Sequence, residues 1–374
     1  MLRYLTSGES HGKYMTAILD GMPAGLSIDK LIIDRELSRR MLGYGRGKRM
    51  SIESDKVEIL SGLRKGRTIG SPIALLIKNA DQSIVRLPVI LEPRPGHADL
   101  AGSLKYGAKD MRDILERASA RETVARVGAG ALAKILLGEF GIRITSHVVM
   151  IGGVEAKPKG LAFNQIISVA EKSPVRCADP IASRLMCKAI EEAADQGDTL
   201  GGVFEIIING VPPGLGGYAQ WDARIDGKLA RAIMSIQAIK AIGFGIGFDT
   251  AKRKGSAVHD EIFFDKKKGF YRKTNNAGGI EGGMTNGEEI IIHAAMKPIS
   301  TLKKPLASVN IKTKKAIKAT VERSDVCAVP AAGVIGEAVS AIEIANAMIE
   351  KFGGDSVVEI QRNYEGYLSQ IRKF

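Results

Sequence analysis

The sequence has few cysteines, few aromatic residues and no long uninterrupted apolar run. Cys177, Cys187 and Cys327 are the only cysteines among 374 residues and show no CxxC spacing, so we expect neither a disulfide framework nor a zinc or other metal site. No apolar run reaches the ~18 residues of a membrane-spanning helix. The first residues lack the apolar segment of a signal peptide. These absences predict a cytoplasmic protein with no membrane partner.

Acidic residues are in deficit. The chain has 54 Lys and Arg against 41 Asp and Glu, a formal net charge of +13. This surplus favours an anionic partner, which is a nucleic acid, a membrane surface or a phosphorylated metabolite. Glycine is abundant, with 43 residues, and allows tight turns and a close approach of backbone to a ligand.

Segments of similar sequence recur in the same order in two parts of the chain. Residues 18–26 (ILDGMPAGL) resemble residues 207–215 (IINGVPPGL). At one constant spacing, Gly62, Gly66, Gly70 and Ile73 recur as Gly279, Gly283, Gly287 and Ile290. The order predicts two similar β/α halves, roughly 1–150 and 199–374, related by a pseudo-twofold axis within a single domain over 1–374. Chance similarity in a glycine-rich chain is the alternative.

Apolar patterning alternates between strand-like and helix-like segments. Strand-like runs occupy residues 57–60, 72–78, 201–210 and 288–296. Helical spacing occupies residues 121–140, 179–197 and 337–352. Because the two kinds of segment interleave, the predicted fold class is mixed α/β.

Two of the five histidines lie in loops rich in glycine or proline. His11 is in SGESHGK and His97 is in EPRPGHADL. Such imidazoles are available for proton transfer near neutral pH, and a capped turn with an exposed ring is the alternative interpretation. His147 lies in a strand-like segment and is interpreted as structural, whereas His259 fits any solvated histidine.

Arginines cluster in segments 38–50, 115–123 and 321–333. The glycine-rich segment 38–50 is expected to form a basic loop, and segment 115–123 is expected to open an apolar helix. Guanidinium groups bind phosphate and carboxylate bidentately, and helix N-termini favour bound anions. Neither a Walker loop nor a dinucleotide fingerprint is present. The pattern predicts a small, highly anionic substrate handled by proton transfer. The alternatives are a solvated basic surface and an RNA-binding protein that uses residues 38–50 and the lysine runs at 252–254, 266–268 and 303–318.

Eight collinear motifs resemble the chorismate synthase family. They are GESHG (8–12), RRMLGYGRGKRM (39–50), RPGHADL (94–100), LERASARET (115–123), MSIQAIKAIGFGIGF (234–248), NNAGGIEGGMTNG (275–287), KPIST (297–301) and ERSDVCAVPAAG (322–333). The resemblance implies a shikimate-pathway lyase that makes chorismate from 5-enolpyruvylshikimate 3-phosphate by anti-1,4-elimination of phosphate. It also implies a requirement for reduced FMN without net redox change, and a β-α-β sandwich fold assembled as a homotetramer.

The resemblance also implies roles for individual residues. His11 matches the residue proposed to protonate the departing phosphate, His97 the residue proposed to protonate reduced flavin, and Asp325 the acid proposed to act with the flavin in C6 deprotonation. The matched substrate-binding residues are Ser10, Arg40, Arg46, Arg49, Arg121 and Arg323. The matched cofactor-binding residues are Arg40, Arg46, Arg117, Ala118, Ser119, Gln237, Ala238, Gly282, Lys297, Pro298, Ile299, Ser300, Thr301 and Arg323.

The chain departs from the family pattern at two positions. Ser300 stands where the motif has Pro, and His293 stands where many relatives have Arg, so flavin contacts are expected to differ there. The long insertions of fungal members are absent, which implies a monofunctional enzyme whose FMN is reduced by an external flavin reductase. Because the family links Arg40 and Arg46 with a nicotinamide nucleotide, NADPH is expected as an indirect reductant. A catalytically dead flavin-binding relative is the remaining alternative.

Overall fold

The computed structural model describes residues 1–47, 54–157, 160–266, 269–322 and 324–374. The strands are β1 (Arg3–Ser7), β2 (Tyr14–Asp20), β3 (Val57–Ile59), β4 (Leu63–Arg64), β5 (Arg67–Thr68), β6 (Ile73–Lys78), β7 (Arg143–Ile151), β8 (Val154–Glu155), β9 (Gly202–Asn209), β10 (Ile239–Phe244), β11 (Ile262–Asp265), β12 (Gly269–Arg272), β13 (Ile280–Glu281), β14 (Met284–Thr285), β15 (Ile290–Met296), β16 (Ala307–Val309) and β17 (Ala316–Lys318). The described α-helices are α1 (Lys30–Met41), α2 (Asp99–Tyr106), α3 (Arg112–Ala118), α4 (Thr123–Gly138), α5 (Phe163–Ala170), α6 (Pro180–Asp195), α7 (Ile225–Met234), α8 (Val329–Phe352) and α9 (Val357–Arg372).

Two antiparallel sheets form the framework. The first has strand order β1-β2-β6-β3 and the second has order β10-β15-β9-β7-β8. Alternate residues of the central strands are buried: Ile73 and Ile77 in β6, and Phe204 and Ile208 in β9. Because side chains alternate between the faces of a strand, each sheet presents an apolar face to the interior.

Helices α4 and α8 lie against these apolar faces. Helix α4 packs on the first sheet, α8 packs on the second, and the two helices pack on each other. Their crossing is close: a Cβ built on Gly130 would lie 2.5 Å from the Cβ of Ala338. Helix α8 is long and apolar enough to cross a membrane, with mean hydropathy 1.4, but 89% of that window is buried. It is therefore the core helix of the fold.

A matching hydrogen-bonded turn stands beside each sheet. Thr68 donates its hydroxyl to the carbonyl of Pro23 at 2.6 Å, and Thr285 donates to the carbonyl of Pro212 at the same distance. Each threonine ends a short hairpin, β4–β5 or β13–β14, that leads into a central strand. The glycines singled out in the sequence adopt left-handed backbone here, with φ of +88° at Gly62 and +76° at Gly279.

The mixed α/β prediction is confirmed, with three shifts in detail. The helix predicted to begin at residue 337 begins at Val329, because Pro330 is compatible with a first helical turn. Segment 115–123 was predicted to open an apolar helix, yet its first four residues end α3. Ser119 then caps a short 3₁₀ turn, Ala120–Glu122, ahead of α4. Arg40, predicted to lie in a basic loop, belongs to the last turn of α1.

Candidate active site

Two buried guanidinium groups share one carboxylate at the end of α1. Arg121 Nη2 lies 2.7 Å from Asp55 Oδ1, and Arg40 Nη1 lies 3.4 Å from Asp55 Oδ2. Asp55 is 3% exposed and Arg40 is 4% exposed. Burial, together with the nearby Arg121 and Arg46, lowers the pKa of Arg40 to about 9, against the opposing effect of Asp55. Two cations against one anion leave a positive site suited to an anionic ligand.

The loop that follows α1 is tied to the segment that precedes α8. Arg46 Nη1 lies 3.1 Å from Asp325 Oδ2, and the backbone N–H of Gly47 donates to Asp325 Oδ1 at 2.6 Å. The N–H of Val326 donates to the carbonyl of Gly45 at 2.8 Å. Gly45 has φ of +79°, and a Cβ there would meet Ile190 at 2.7 Å. Glycine at this position therefore lets Arg46 reach Asp325.

His11 is held by a buried carboxylate. Its Nδ1 lies 2.9 and 3.0 Å from the two carboxylate oxygens of Glu116, and its backbone N–H donates to Glu116 Oε2 at 2.8 Å. Ser10 donates its backbone N–H to the Glu116 carbonyl at 2.9 Å, and the hydroxyls of Ser10 and Ser119 lie 3.2 Å apart. Burial alone would raise the pKa of Glu116, but its hydrogen bonds with His11 hold the pKa below its usual range.

His97 pairs with Asp99 in a second network. The imidazole Nδ1 lies 2.5 Å from Asp99 Oδ1, while Arg94 Nε donates to Asp99 Oδ2 at 2.8 Å. Burial of Asp99 opposes ionisation, but the contacts with His97 and Arg94 hold the pKa of this carboxyl well below its usual range. Arg94 also donates to the hydroxyl of Thr301 at 2.8 Å, and Ser324 donates to the carbonyl of Thr301 at 2.8 Å. This network therefore reaches the residue next to Asp325.

Most of the residues matched to flavin binding adjoin these networks. Lys297 donates its ammonium to the carbonyl of Gly96 and its backbone N–H to the carbonyl of Ala238. The neighbouring Gln237 donates to Glu122 at 2.8 Å, while its own Oε1 is buried without a partner among the described residues. The segment that continues through Pro298, Ile299, Ser300 and Thr301 is fixed where Thr199 donates to the carbonyl of Ile299 at 2.7 Å.

Some matched residues lie elsewhere or outside the described residues. Arg117 is exposed, donates to the carbonyls of Thr6 and Gly8, and is followed by Ala118. Gly282 lies in the turn of the β13–β14 hairpin, which forms a bridge between Gly216 and Met284. Arg49 and Arg323 lie outside the described residues.

Two of the three histidines outside the site, His147 and His293, pair with the same carboxylate. His147 Nε2 lies 2.8 Å from Glu205 Oε1, and His293 Nε2 lies 2.7 Å from Glu205 Oε2. His147 is thus a structural strand residue, as the sequence indicates. His293, which stands where many relatives have Arg, lies in β15 of the second sheet and makes this contact with Glu205.

Comparison with known proteins gives one family across the chain. The family model of chorismate synthase matches residues 2–349. The chain belongs to the chorismate synthase family. A chorismate synthase of Geobacter metallireducens is 53% identical over 100% of both chains, and that of Pelobacter propionicus is 56% identical over 100% of both. A crystal structure of a chorismate synthase superposes with a TM-score of 0.83 at 44% identity, covering 100% of this chain and 99% of that one. The family assigns this chain a lyase activity on a phosphorylated substrate, which replaces the RNA-binding alternative.

Three carboxylates of this chorismate synthase site were not identified from the sequence. Glu116 lies in the motif LERASARET and Asp99 in RPGHADL, but each has an ordinary interpretation as a helix-end or surface acid. Asp55 belongs to none of the quoted motifs. Of these three carboxylates, only Asp99 could have been found from the sequence, because it lies two residues from the loop histidine His97.

Proposed function

We propose that the protein converts 5-enolpyruvylshikimate 3-phosphate into chorismate, with reduced FMN as its cofactor. The supporting observation is the arrangement of His11 and His97, each hydrogen-bonded to a buried carboxylate, around a cluster of arginines. The reaction breaks the C3–O bond to phosphate and the C6–H bond, and a new double bond forms. It therefore requires anion binding, a proton donor for phosphate and an acceptor for the C6 proton.

The arginines meet the first requirement. The substrate carries a phosphate and two carboxylates, so several guanidinium groups are needed to offset its charge. Arg40, Arg46 and Arg121 supply them, with Ser10 close by and with Arg49 and Arg323 proposed from their motifs. Asp55 holds Arg40 and Arg121 together before the substrate arrives.

Two buried polar atoms support the flavin proposal. Gln237 Oε1 and Arg46 Nε have no hydrogen-bond partner among the described residues, and a ligand with donor and acceptor groups would satisfy both. Residues Arg117–Ser119, Gln237, Ala238, Gly282, Lys297–Thr301 and Arg323 would hold it. When bound, reduced flavin supplies electron density that assists phosphate departure without net redox change.

Proton transfer is proposed to use three residues of this chain. His11 donates a proton to the departing phosphate, since its imidazole lies beside Ser10 and is oriented by Glu116. His97 protonates the reduced flavin, since Lys297, one of the residues matched to flavin binding, contacts the His97 loop at Gly96. Asp325, beside Arg46, takes part in removing the C6 proton.

We also propose the finer features that the family resemblance implies. The enzyme is a cytoplasmic homotetramer supplied with reduced FMN by a separate reductase, and NADPH is its indirect electron source. Its halves form a pseudo-twofold β-α-β sandwich. In support of this symmetry, β2 pairs with β6 at Ile18 and Ala74, and β9 pairs with β15 at the corresponding Ile207 and Ile291.

An anaerobic assay tests the function. Enzyme, dithionite-reduced FMN and 5-enolpyruvylshikimate 3-phosphate are mixed, and chorismate absorbance and released phosphate are followed together. Equimolar appearance of both, only with reduced flavin, is the expected result. Flavin binding without turnover would instead indicate a dead relative. The variant His11→Ala should keep flavin binding and lose more than ~10-fold in turnover.

A further inference from the structure

Glu116 makes more contacts to the His11 loop than a helix-end acid needs, and we propose that it is the positioning residue that orients His11 and favours its protonated form. This inference rests on the proposed function, in which His11 is the proton donor to phosphate. It concerns the supporting carboxylate, which acts through His11 and does not itself touch the substrate.

The contacts fix both the loop and the imidazole. Glu116 accepts hydrogen bonds from the backbone N–H of His11 and from its Nδ1, and the Glu116 carbonyl accepts from the N–H of Ser10. Because a carboxylate only accepts, Nδ1 must carry a proton. Proton exchange with a ligand is then confined to Nε2, on the opposite side of the ring.

The surroundings make this contact strong. Glu116 is buried, and the His11 side chain is only 17% exposed, so the carboxylate and the imidazolium interact in a medium of low polarity. Arg112 lies 3.9 Å from Glu116 and donates a hydrogen bond to Glu322 at 2.8 Å. Helix α3 thus turns Glu116 toward His11 and Arg112 toward a different acid.

The second histidine shows the contrasting arrangement. Asp99 accepts from Arg94 through Nε at 2.8 Å and through Nη2 at 2.9 Å, and Arg94 Nη2 also lies 3.0 Å from His97 Nδ1. Asp99 is thus shared between the guanidinium of Arg94 and the imidazole of His97, whereas both carboxylate oxygens of Glu116 face Nδ1 of His11. The two imidazoles therefore differ in their surroundings: Arg94 contacts the ring of His97 directly, whereas Arg112 lies 3.9 Å from the carboxylate that holds His11.

Other described groups contact the backbone of the His11 loop. The N–H of Ile84 donates to the His11 carbonyl, and Asn79 donates to the carbonyls of Glu9 and Gly12 on either side. These bonds hold the backbone of the loop. Glu9 precedes the histidine in the same loop, and Arg117 contacts the loop through the carbonyl of Gly8.

The test compares Glu116→Gln with Asp113→Asn, which removes an exposed acid from the same helix. In the anaerobic assay, Glu116→Gln should lower kcat by ~10- to 100-fold with little change in flavin binding. Since the imidazolium is less stabilised, His11 loses its proton at lower pH, so the alkaline limb of the kcat profile should move to lower pH. Asp113→Asn should behave as wild type. Glu116→Asp, which keeps the charge, should restore the wild-type limb in part.

A spectroscopic measurement on the unaltered enzyme keeps the proposal falsifiable if Glu116→Gln fails to fold. The chain has five histidines, so ¹⁵N-histidine labelling gives a simple spectrum in which His11→Ala identifies the His11 signal. Nδ1 should be protonated at every pH at which the protein is folded. A neutral Nε2–H tautomer at pH 7, or a Glu116→Gln enzyme with unchanged kcat and pH profile, would overturn the proposal. Absence of turnover by wild type would instead refute the proposed function.

Discussion

The crossing of α4 and α8 gives a sharp test of the packing argument through Gly130→Ala. The new Cβ would lie 2.5 Å from the Cβ and the carbonyl oxygen of Ala338 and 2.6 Å from its Cα, whereas carbon atoms in contact stay about 3.5–4.0 Å apart. Because two of the clashing atoms belong to the opposing helix backbone, the helices must separate by about 1 Å. Such overpacking costs about 1–3 kcal/mol, and the better helix propensity of alanine returns about 0.5–1 kcal/mol.

The matched control is Gly138→Ala at the end of the same helix. Gly138 is exposed, and a Cβ there would meet no atom within 4 Å. Its replacement should therefore leave stability unchanged or raise it by up to about 1 kcal/mol, whereas Gly130→Ala should lose about 1 kcal/mol after the gain in helix propensity is subtracted. Urea unfolding followed by circular dichroism at fixed protein concentration measures both. If Gly130→Ala proved as stable as Gly138→Ala, the close crossing would not exist.

Three further predictions concern buried charge and thiols. Glu337 is fully buried and pairs with three cations. The variant Glu337→Gln should lower the free energy of unfolding in urea by about 3–5 kcal/mol; a decrease below about 1 kcal/mol would show that these ion pairs do not stabilise the fold. Although burial opposes it, two histidines lower the pKa of Glu205 from 4.5 to about 2. Wild type should therefore exceed Glu205→Gln in stability by about 2–3 kcal/mol above pH 4.5, and the difference should vanish as pH falls toward 2. Burial raises the pKa of Cys177 and of Cys327 to about 11, so a thiol reagent at pH 8 should modify only Cys187 before unfolding and all three afterwards; rapid modification of a second thiol in the native enzyme would refute this.

Local sequence patterns were enough to predict strands of the two central sheets. Alternating or continuous apolar residues predicted β6 and β9, because each signal lies within a few neighbouring residues. The motifs also predicted His11 and His97 as loop residues. In each case, the physics that determines the conformation is visible along a short stretch of sequence.

The pairing of charges was not predictable in the same way. Arg39 and Arg40 are adjacent, but successive helical residues point about 100° apart. Arg39 bonds to Glu337 in the core at 2.7 Å, while Arg40 reaches Asp55 in the site. No local pattern says which face of α1 meets α8. The partner Asp55 was missed for the same reason, since its importance depends on where Arg121 arrives from a distant part of the chain.

The position of α8 also has a consequence for synthesis of the protein. This core helix spans Val329–Phe352, so it leaves the ribosome late. It nevertheless packs on the second sheet and on α4, which in turn packs on the first sheet. The N-terminus also depends on α8 for a hydrogen bond, because the backbone N–H of Leu2 donates to the side chain of Asn346. Long-range contacts of this kind slow folding. We therefore expect a chain that ends before Asp325 to leave the apolar face of the second sheet uncovered, and to be degraded instead of acting as a smaller enzyme.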